Sequence, residues 1–275
     1  VPGPLLTMTD DDRSERERGA GARRPRRRAV RILRVAAIVV AGVVVLAIGG
    51  GLVWALTPYQ ADADGLAAVA ADPRLAVGEV DDLVVLRPTA EAATTLAGQG
   101  IVVLAGARVD PHAYVATFAD VAASGATIVL VRAPLNLAIL EQRPLAELTA
   151  VAPDVEAWAV AGHSMGGVRA CSYAEDDAVR GLVLLASYCS GTDLSARDDL
   201  TALAITGSRD GVLREDAFVD ALPLLPADAI LVELPGVSHA QFGDYGEQPG
   251  DDAPEVPNDE AHAEIAQAIV DALAR

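Results

Sequence analysis

The chain has 275 residues, 52% of them hydrophobic, enough for a sizeable core in one large domain or two small ones, and this excludes a disordered protein. All of its 21 basic residues are arginine, set against 39 acids for a net charge of −18. Residues 1–34 hold ten Arg and five acids (+5), which leaves −23 on the other 241 residues and argues against any nucleic-acid groove on the folded part.

Residues 1–34 read as a disordered basic tail, with "TDDDRSERERGAGA" followed by seven arginines between Arg23 and Arg34. Residues 35–56, "VAAIVVAGVVVLAIGGGLVWAL", form an uncharged run of 22, long enough as a helix to cross a bilayer core. A buried soluble helix would show a polar face, and a cleaved signal peptide has a shorter apolar region with a small-x-small site after it. The run ends instead in Trp54, a residue favoured at the membrane interface. A retained transmembrane helix is therefore expected. The arginines before it and Asp62 and Asp64 after it predict a single-pass protein of the cell membrane, with the N-terminus cytoplasmic and the large C-terminal part outside. Residues 57–77 are expected to be a linker and residues 78–275 the catalytic domain.

From there, short β-rich runs alternate with helical patterns, the signature of an α/β fold with a mostly parallel central sheet and helices on both faces. The runs are Leu83–Arg87, Ile101–Ala105, Thr127–Val131, Ala157–Ala161, Leu182–Ala186, Ala202–Thr206 and Ala229–Leu234. Asp110 as N-cap, Pro111 after it, an apolar stripe of Tyr114, Val115, Phe118, Val121 and Ala122, and Gly125 at the end predict one helix. A last helix is expected to have Asn258 or Asp259 as its cap and Ile265, Ile269, Val270 and Leu273 on one face.

"VAGHSMGGVRA", Val160–Ala170, places Ser164 in a G-x-S-x-G pattern between a strand and a helix. Such a turn forces the serine into a strained conformation, and side chains at Gly162 or Gly166 would collide with the neighbouring helix and strand. A serine hydroxyl needs a base to take its proton and a carboxylate to orient that base. Asp210, four residues beyond a strand end, and His239, five residues beyond the last strand, follow in that order. Asp193, Asp198 and Asp199 are rival acids, and Asp244 reads as a loop-stabilising residue. His112 and His262 are expected on the solvated surface, and His163 is expected to point away from the serine. The oxyanion donors predicted are the backbone N–H of Met165 and that of Gly106 or Ala107.

Together these segments resemble the α/β-hydrolase superfamily, and within it a bacterial family described as α/β-hydrolase fold-5, dienelactone-hydrolase-like with a serine nucleophile. The similarity covers about residues 78–274 and rests on "DDLVVLRP", "GARVDPHAY", "APLNLAIL", "GHSMGG", "GLVLLASY", "TGSRDG" and "SHAQFGDYG". It implies an α/β-hydrolase fold and a serine hydrolase with the roles given above. One departure is Ala107, which follows Gly106 where a second glycine is usual; backbone donation survives that change.

About 14 residues separate "LVLLASY" from "TALAIT", too few for a helical cap, so an open site is expected. The function predicted is hydrolysis of a carboxylic ester, thioester or lactone on a small acyl substrate, without metal or cofactor. The alternatives are an acyltransferase or perhydrolase on the same three residues, or a non-catalytic surface binding protein that keeps the fold. Cys171 and Cys189 are expected to be near in space. A disulfide is open to them outside the cytoplasm, but a buried Cys171 and a partly exposed Cys189 is the favoured reading.

Overall fold

The structure is a computed structural model and describes Gly3 and residues 23–275. Much of the expected basic tail, residues 4–22, lies outside the described residues. The chain divides into two compact units, one running to Val53 and the other comprising Trp54–Arg275.

The first unit is the greater part of helix α1 (Arg23–Ala55). Its portion from Arg28 to Ala55 contains an 18-residue window of mean hydropathy 2.7 and is long and apolar enough to cross a membrane.

The second unit begins earlier than expected. The segment 57–77 is not a linker, because it carries helix α2 (Ala63–Ala70) and the start of strand β1 (Leu75–Val80). It is tied down by backbone bonds from Tyr59 N–H to the Arg108 carbonyl (2.6 Å) and from Asp62 N–H to the Asp244 carbonyl (2.8 Å). Strand β1 is an open edge with only Leu75 buried, which is why no hydrophobic alternation betrays it. It pairs antiparallel with β2 (Leu83–Pro88) through a tight turn in which Asp81 takes φ 54°.

The remaining strands are β3 (Gln99–Leu104), β4 (Thr127–Val131), β5 (Ala157–His163), β6 (Val179–Leu185), β7 (Thr201–Gly207) and β8 (Ile230–Leu234). They complete an eight-stranded sheet of order β1-β2-β4-β3-β5-β6-β7-β8, in which β4, β3, β5, β6, β7 and β8 run parallel. Alternate residues enter the two faces. Ile101 and Val103 of β3 belong to one core with Tyr114, Phe118, Ile265 and Ile269, while Val102 and Leu104 belong to the other with Leu148, Ala170 and Leu184. After β3 the chain turns to one side for β4 and then returns to the other side of β3 for β5. The carboxyl ends of β3 and β5 therefore flank a topological switch point, the usual place for a site in such sheets.

The helix expected over 110–125 forms in two pieces. Asp110 does cap it, accepting the His112 N–H at 3.0 Å, but a short 3₁₀ turn (Pro111–Tyr114) stops before α3 (Ala119–Ala123). The Ala113 carbonyl, which a continuous helix would bond to residue 117, is taken by the Asp244 N–H at 2.6 Å. The apolar stripe is buried all the same. Further on come α4 (Leu145–Thr149), α5 (Met165–Tyr173), α6 (Glu215–Ala221) and α7 (Asn258–Leu273). In α7 the cap position is Pro257, and the Asn258 side chain instead donates to Asp244 Oδ1 (3.0 Å) and accepts from Gln241 Nε2 (2.9 Å).

His262 is a correction. It is buried on α7, because it shares the face of Ile265, Ala266 and Ile269 that packs against the core. The cysteines are another. Cys171 of α5 and Cys189, in the loop after β6, are joined as a disulfide across a Cα–Cα distance of 5.6 Å, and both are buried.

Candidate active site

Ser164 stands between β5 and α5 at φ 52° and ψ −121°, a left-handed conformation that L side chains rarely adopt. Its N–H donates to the Leu185 carbonyl (3.0 Å), and its own carbonyl accepts from Ser187 Oγ (2.6 Å), so the end of β6 and the loop after it hold the turn from both ends. The flanking glycines are sterically obligatory. A Cβ at Gly162 would overlap the backbone of Gly166, and one at Gly166 would overlap the Leu104 carbonyl of β3. The strand before and the helix after can approach this closely only without side chains.

Asp210 follows β7 and His239 follows β8, and the two meet. His239 Nδ1 lies 2.8 Å from Asp210 Oδ2, with both side chains almost completely buried. The other oxygen of Asp210 accepts the N–H groups of Val212 (2.8 Å) and Leu213 (2.7 Å), which leaves its carboxylate one orientation. Two of the rival acids are engaged elsewhere: Asp193 with Ser195, and Asp199 with Arg197 and Arg180. Ser164 and His239 line one cleft of about 300 Å³ with Met165, Tyr188, Leu213 and Arg214. Neither Ser164 Oγ nor His239 Nε2 has a hydrogen-bond partner among the described residues. A reactant bound in the cleft can engage both.

The loop after β3 separates the two candidate oxyanion donors. Gly106 N–H already donates to the buried Tyr114 hydroxyl at 2.8 Å, whereas Ala107 N–H has no acceptor among the described residues. Ala107 is therefore the free donor of the pair. Met165 is the first residue of α5, where backbone N–H groups have no partner within the helix.

His163 turns away from the cleft and lies beneath it. The Tyr114 hydroxyl, kept protonated by burial, donates to His163 Nδ1 at 2.8 Å, and the His163 and His239 rings lie 4.5 Å apart. Burial, and secondarily the nearby His239, holds the His163 pKa well below the usual histidine value, so this imidazole stays neutral. A chain of contacts thus runs from Gly106 through Tyr114 and His163 to the ring of His239. His112 is partly buried rather than free in solvent. Its two nitrogens meet Asp110 (2.8 Å) and Glu79 (2.7 Å). Asp244 stabilises its loop, as expected, through Asn258.

One residue in this region carries no sequence signal. Asp251 Oδ1 accepts the N–H groups of Gly211 (3.0 Å) and His239 (3.1 Å), and its Oδ2 accepts that of Ala240 (2.8 Å). It lies in an acidic, proline-bearing loop that resembles any solvated loop, and only the fold brings it against the other two.

The family model for the alpha/beta hydrolase family matches residues 100–263, more than half of the chain. The chain belongs to the alpha/beta hydrolase family. Among solved structures, this hydrolase is similar to an α/β serine hydrolase without lid from Xanthomonas campestris, at 17% identity and a TM-score of 0.50, covering 72% of this chain and 94% of that one. A protein described as a predicted CIB-like hydrolase from Thermoplasma acidophilum matches at 14% identity and a TM-score of 0.47, covering 73% and 98%. At these identities the likeness concerns the fold. No curated protein matches the chain. As in a lidless hydrolase fold, no large cap is inserted: β6 and β7 are joined by a short loop only.

Proposed function

We propose that this α/β hydrolase is a membrane-anchored serine hydrolase that cleaves a carboxylic ester, thioester or lactone through an acyl-enzyme on Ser164. The observation that carries the reading is the convergence of three loops distant in sequence. Ser164, on its left-handed turn, shares a cleft with His239, whose far nitrogen is held by Asp210 at 2.8 Å. That is the arrangement a serine needs in order to lose its proton as it attacks.

In the proposed mechanism His239 Nε2 accepts the Ser164 hydroxyl proton while Oγ bonds to the acyl carbon, and Asp210 stabilises the resulting imidazolium. The carbonyl oxygen becomes an oxyanion facing the N–H groups of Met165 and Ala107. Collapse of the intermediate expels the leaving group, which takes the proton from His239. Water then gives a proton to His239 and its oxygen to the acyl carbon, and Ser164 regains its proton as the acid departs. A cleft of about 300 Å³ favours small acyl groups.

The anchor reading assigns the Arg28–Ala55 helix as a retained span, with the arginine-rich end cytoplasmic and the hydrolase outside. The Cys171–Cys189 disulfide supports an oxidising compartment. The decisive experiment pairs a fluorophosphonate probe with p-nitrophenyl acetate and butyrate. Labelling and hydrolysis are expected in the native chain and in neither case for Ser164→Ala. Unchanged hydrolysis in that variant would overturn the assignment of the nucleophile.

A further inference from the structure

Beyond helix α1 and the adjoining Leu56, seven large apolar side chains are exposed among the described residues, and three of them, Leu135, Ile139 and Leu140, fall within one six-residue stretch. The loop that carries them, "APLNLAIL" (Ala133–Leu140), contains no charge. Leu135 stands at φ 55° beside Asn136 at φ 54°. A leucine seldom takes that conformation, so neighbouring bonds must hold the turn.

Those bonds lead to the end of the apolar helix. Asn136 Nδ2 donates to the carbonyl of Ala55, the last residue of α1, at 2.9 Å. The Asn136 carbonyl accepts the Arg108 N–H at 2.7 Å. The Arg108 guanidinium covers the ring of Trp54 at 4.7 Å and that of Tyr59 at 5.2 Å, and it donates to the Thr57 carbonyl at 2.6 Å. Tryptophan, tyrosine and arginine gather in this way where a span leaves the hydrocarbon for the headgroups.

We propose that the Ala133–Leu140 loop is a membrane-contact surface whose Leu135, Ile139 and Leu140 side chains enter the headgroup–acyl boundary of the bilayer. The proposal rests on the anchor reading above. A loop hydrogen-bonded to the last residue of a span lies within a few ångströms of the interface, and an apolar, uncharged patch at that depth exchanges water for lipid. The occupant is the lipid surface and not a basic partner, since the patch offers no charge. The strongly acidic remainder of the chain is repelled by anionic headgroups, so the contact is apolar and suits zwitterionic lipid. Through the bond between Asn136 and Arg108, the loop that presents Ala107 is held one residue away from this contact.

The test uses the full chain in phosphatidylcholine vesicles containing doxyl-labelled lipid. A bimane label is placed in turn through Ile139→Cys, Val219→Cys and Leu52→Cys, the native cysteines being paired and unreactive. Val219 is an equally exposed apolar residue on α6, and Leu52 lies in the span. Quenching at Ile139 is expected to exceed that at Val219 by about threefold and to approach that at Leu52. Quenching at Leu52 with equal quenching at Ile139 and Val219 would overturn the contact surface and leave the anchor standing. Absence of quenching at Leu52 would remove the anchor, and the contact surface with it.

Discussion

Asp251 accepts the backbone N–H of His239 at 3.1 Å through the same oxygen that accepts the N–H of Gly211, so one carboxylate ties the histidine loop to the loop of Asp210. The His239–Asp210 pair is thereby braced from behind as well as through its own 2.8 Å bond. Removing this brace should displace the imidazole without touching it. Asp251→Ala is expected to lower kcat on a p-nitrophenyl ester by about tenfold or more, with KM within about twofold, because misaimed groups slow the chemical step more than binding. Asp251→Asn, which keeps one acceptor oxygen, should recover part of the loss. Native kcat in Asp251→Ala would mean that packing alone aligns the two loops.

The turn at Ser164 makes a prediction about stability. At φ 52° and ψ −121° the serine occupies a region open mainly to glycine. Ser164→Gly and Ser164→Ala both remove the hydroxyl, but only glycine relieves the backbone. The glycine variant should therefore be the more stable by about 1 kcal/mol, the relief of strain outweighing glycine's greater unfolded entropy. Urea unfolding of the two variants checks this; equal midpoints would show that the turn is unstrained.

The Cys171–Cys189 bridge closes a loop of 18 residues that runs from α5 through β6 into the loop after it. A loop of that size contributes about 3 kcal/mol by restricting the unfolded chain. Reduction, or the double replacement Cys171→Ser with Cys189→Ser, should lower the urea midpoint accordingly. Unchanged midpoints in oxidised and reduced protein would indicate that the bridge adds nothing to the packing of two buried side chains.

Stability should also depend on pH through His163 and His262. Burial is the main cause that lowers both folded pKa values below the usual histidine value of about 6.5. Below that pH the unfolded chain takes up protons that the folded chain refuses, so stability present above about pH 6.5 is lost as the pH falls. For His163, whose folded pKa lies well below the usual value, the expected slope between pH 6 and 5 approaches about 1.4 kcal/mol per pH unit, and His262 adds to it in the same direction. His163→Gln should flatten it. An unaltered slope in that variant would show that His163 is not among the groups responsible.

Much of this hydrolase is legible in its sequence alone. The G-x-S-x-G spacing carries its own steric reason, because Gly162 and Gly166 lie where β5, α5 and the end of β3 touch. Uncharged β-rich runs identify buried parallel strands, since each must present apolar residues on both faces. The burial of His262 is equally readable, because it falls three residues before Ile265 and seven before Ile269, on the helix's apolar stripe. Strand β1 and the 57–77 segment were not readable, because an edge strand with one buried residue has no periodicity to detect.

By itself the sequence determined the class of fold, the strained serine turn, the order of serine, acid and histidine, and an apolar helix long enough to span a bilayer. These depend on local sterics and on the pattern of burial, both of which are written along the chain. Only the tertiary structure decided that Gly106 spends its N–H on Tyr114 while Ala107 keeps its own free, that Asp251 braces His239, and that Cys171 pairs with Cys189. Each of those depends on where one loop comes to rest against another, and that position is a property of the packed sheet rather than of any short stretch of sequence.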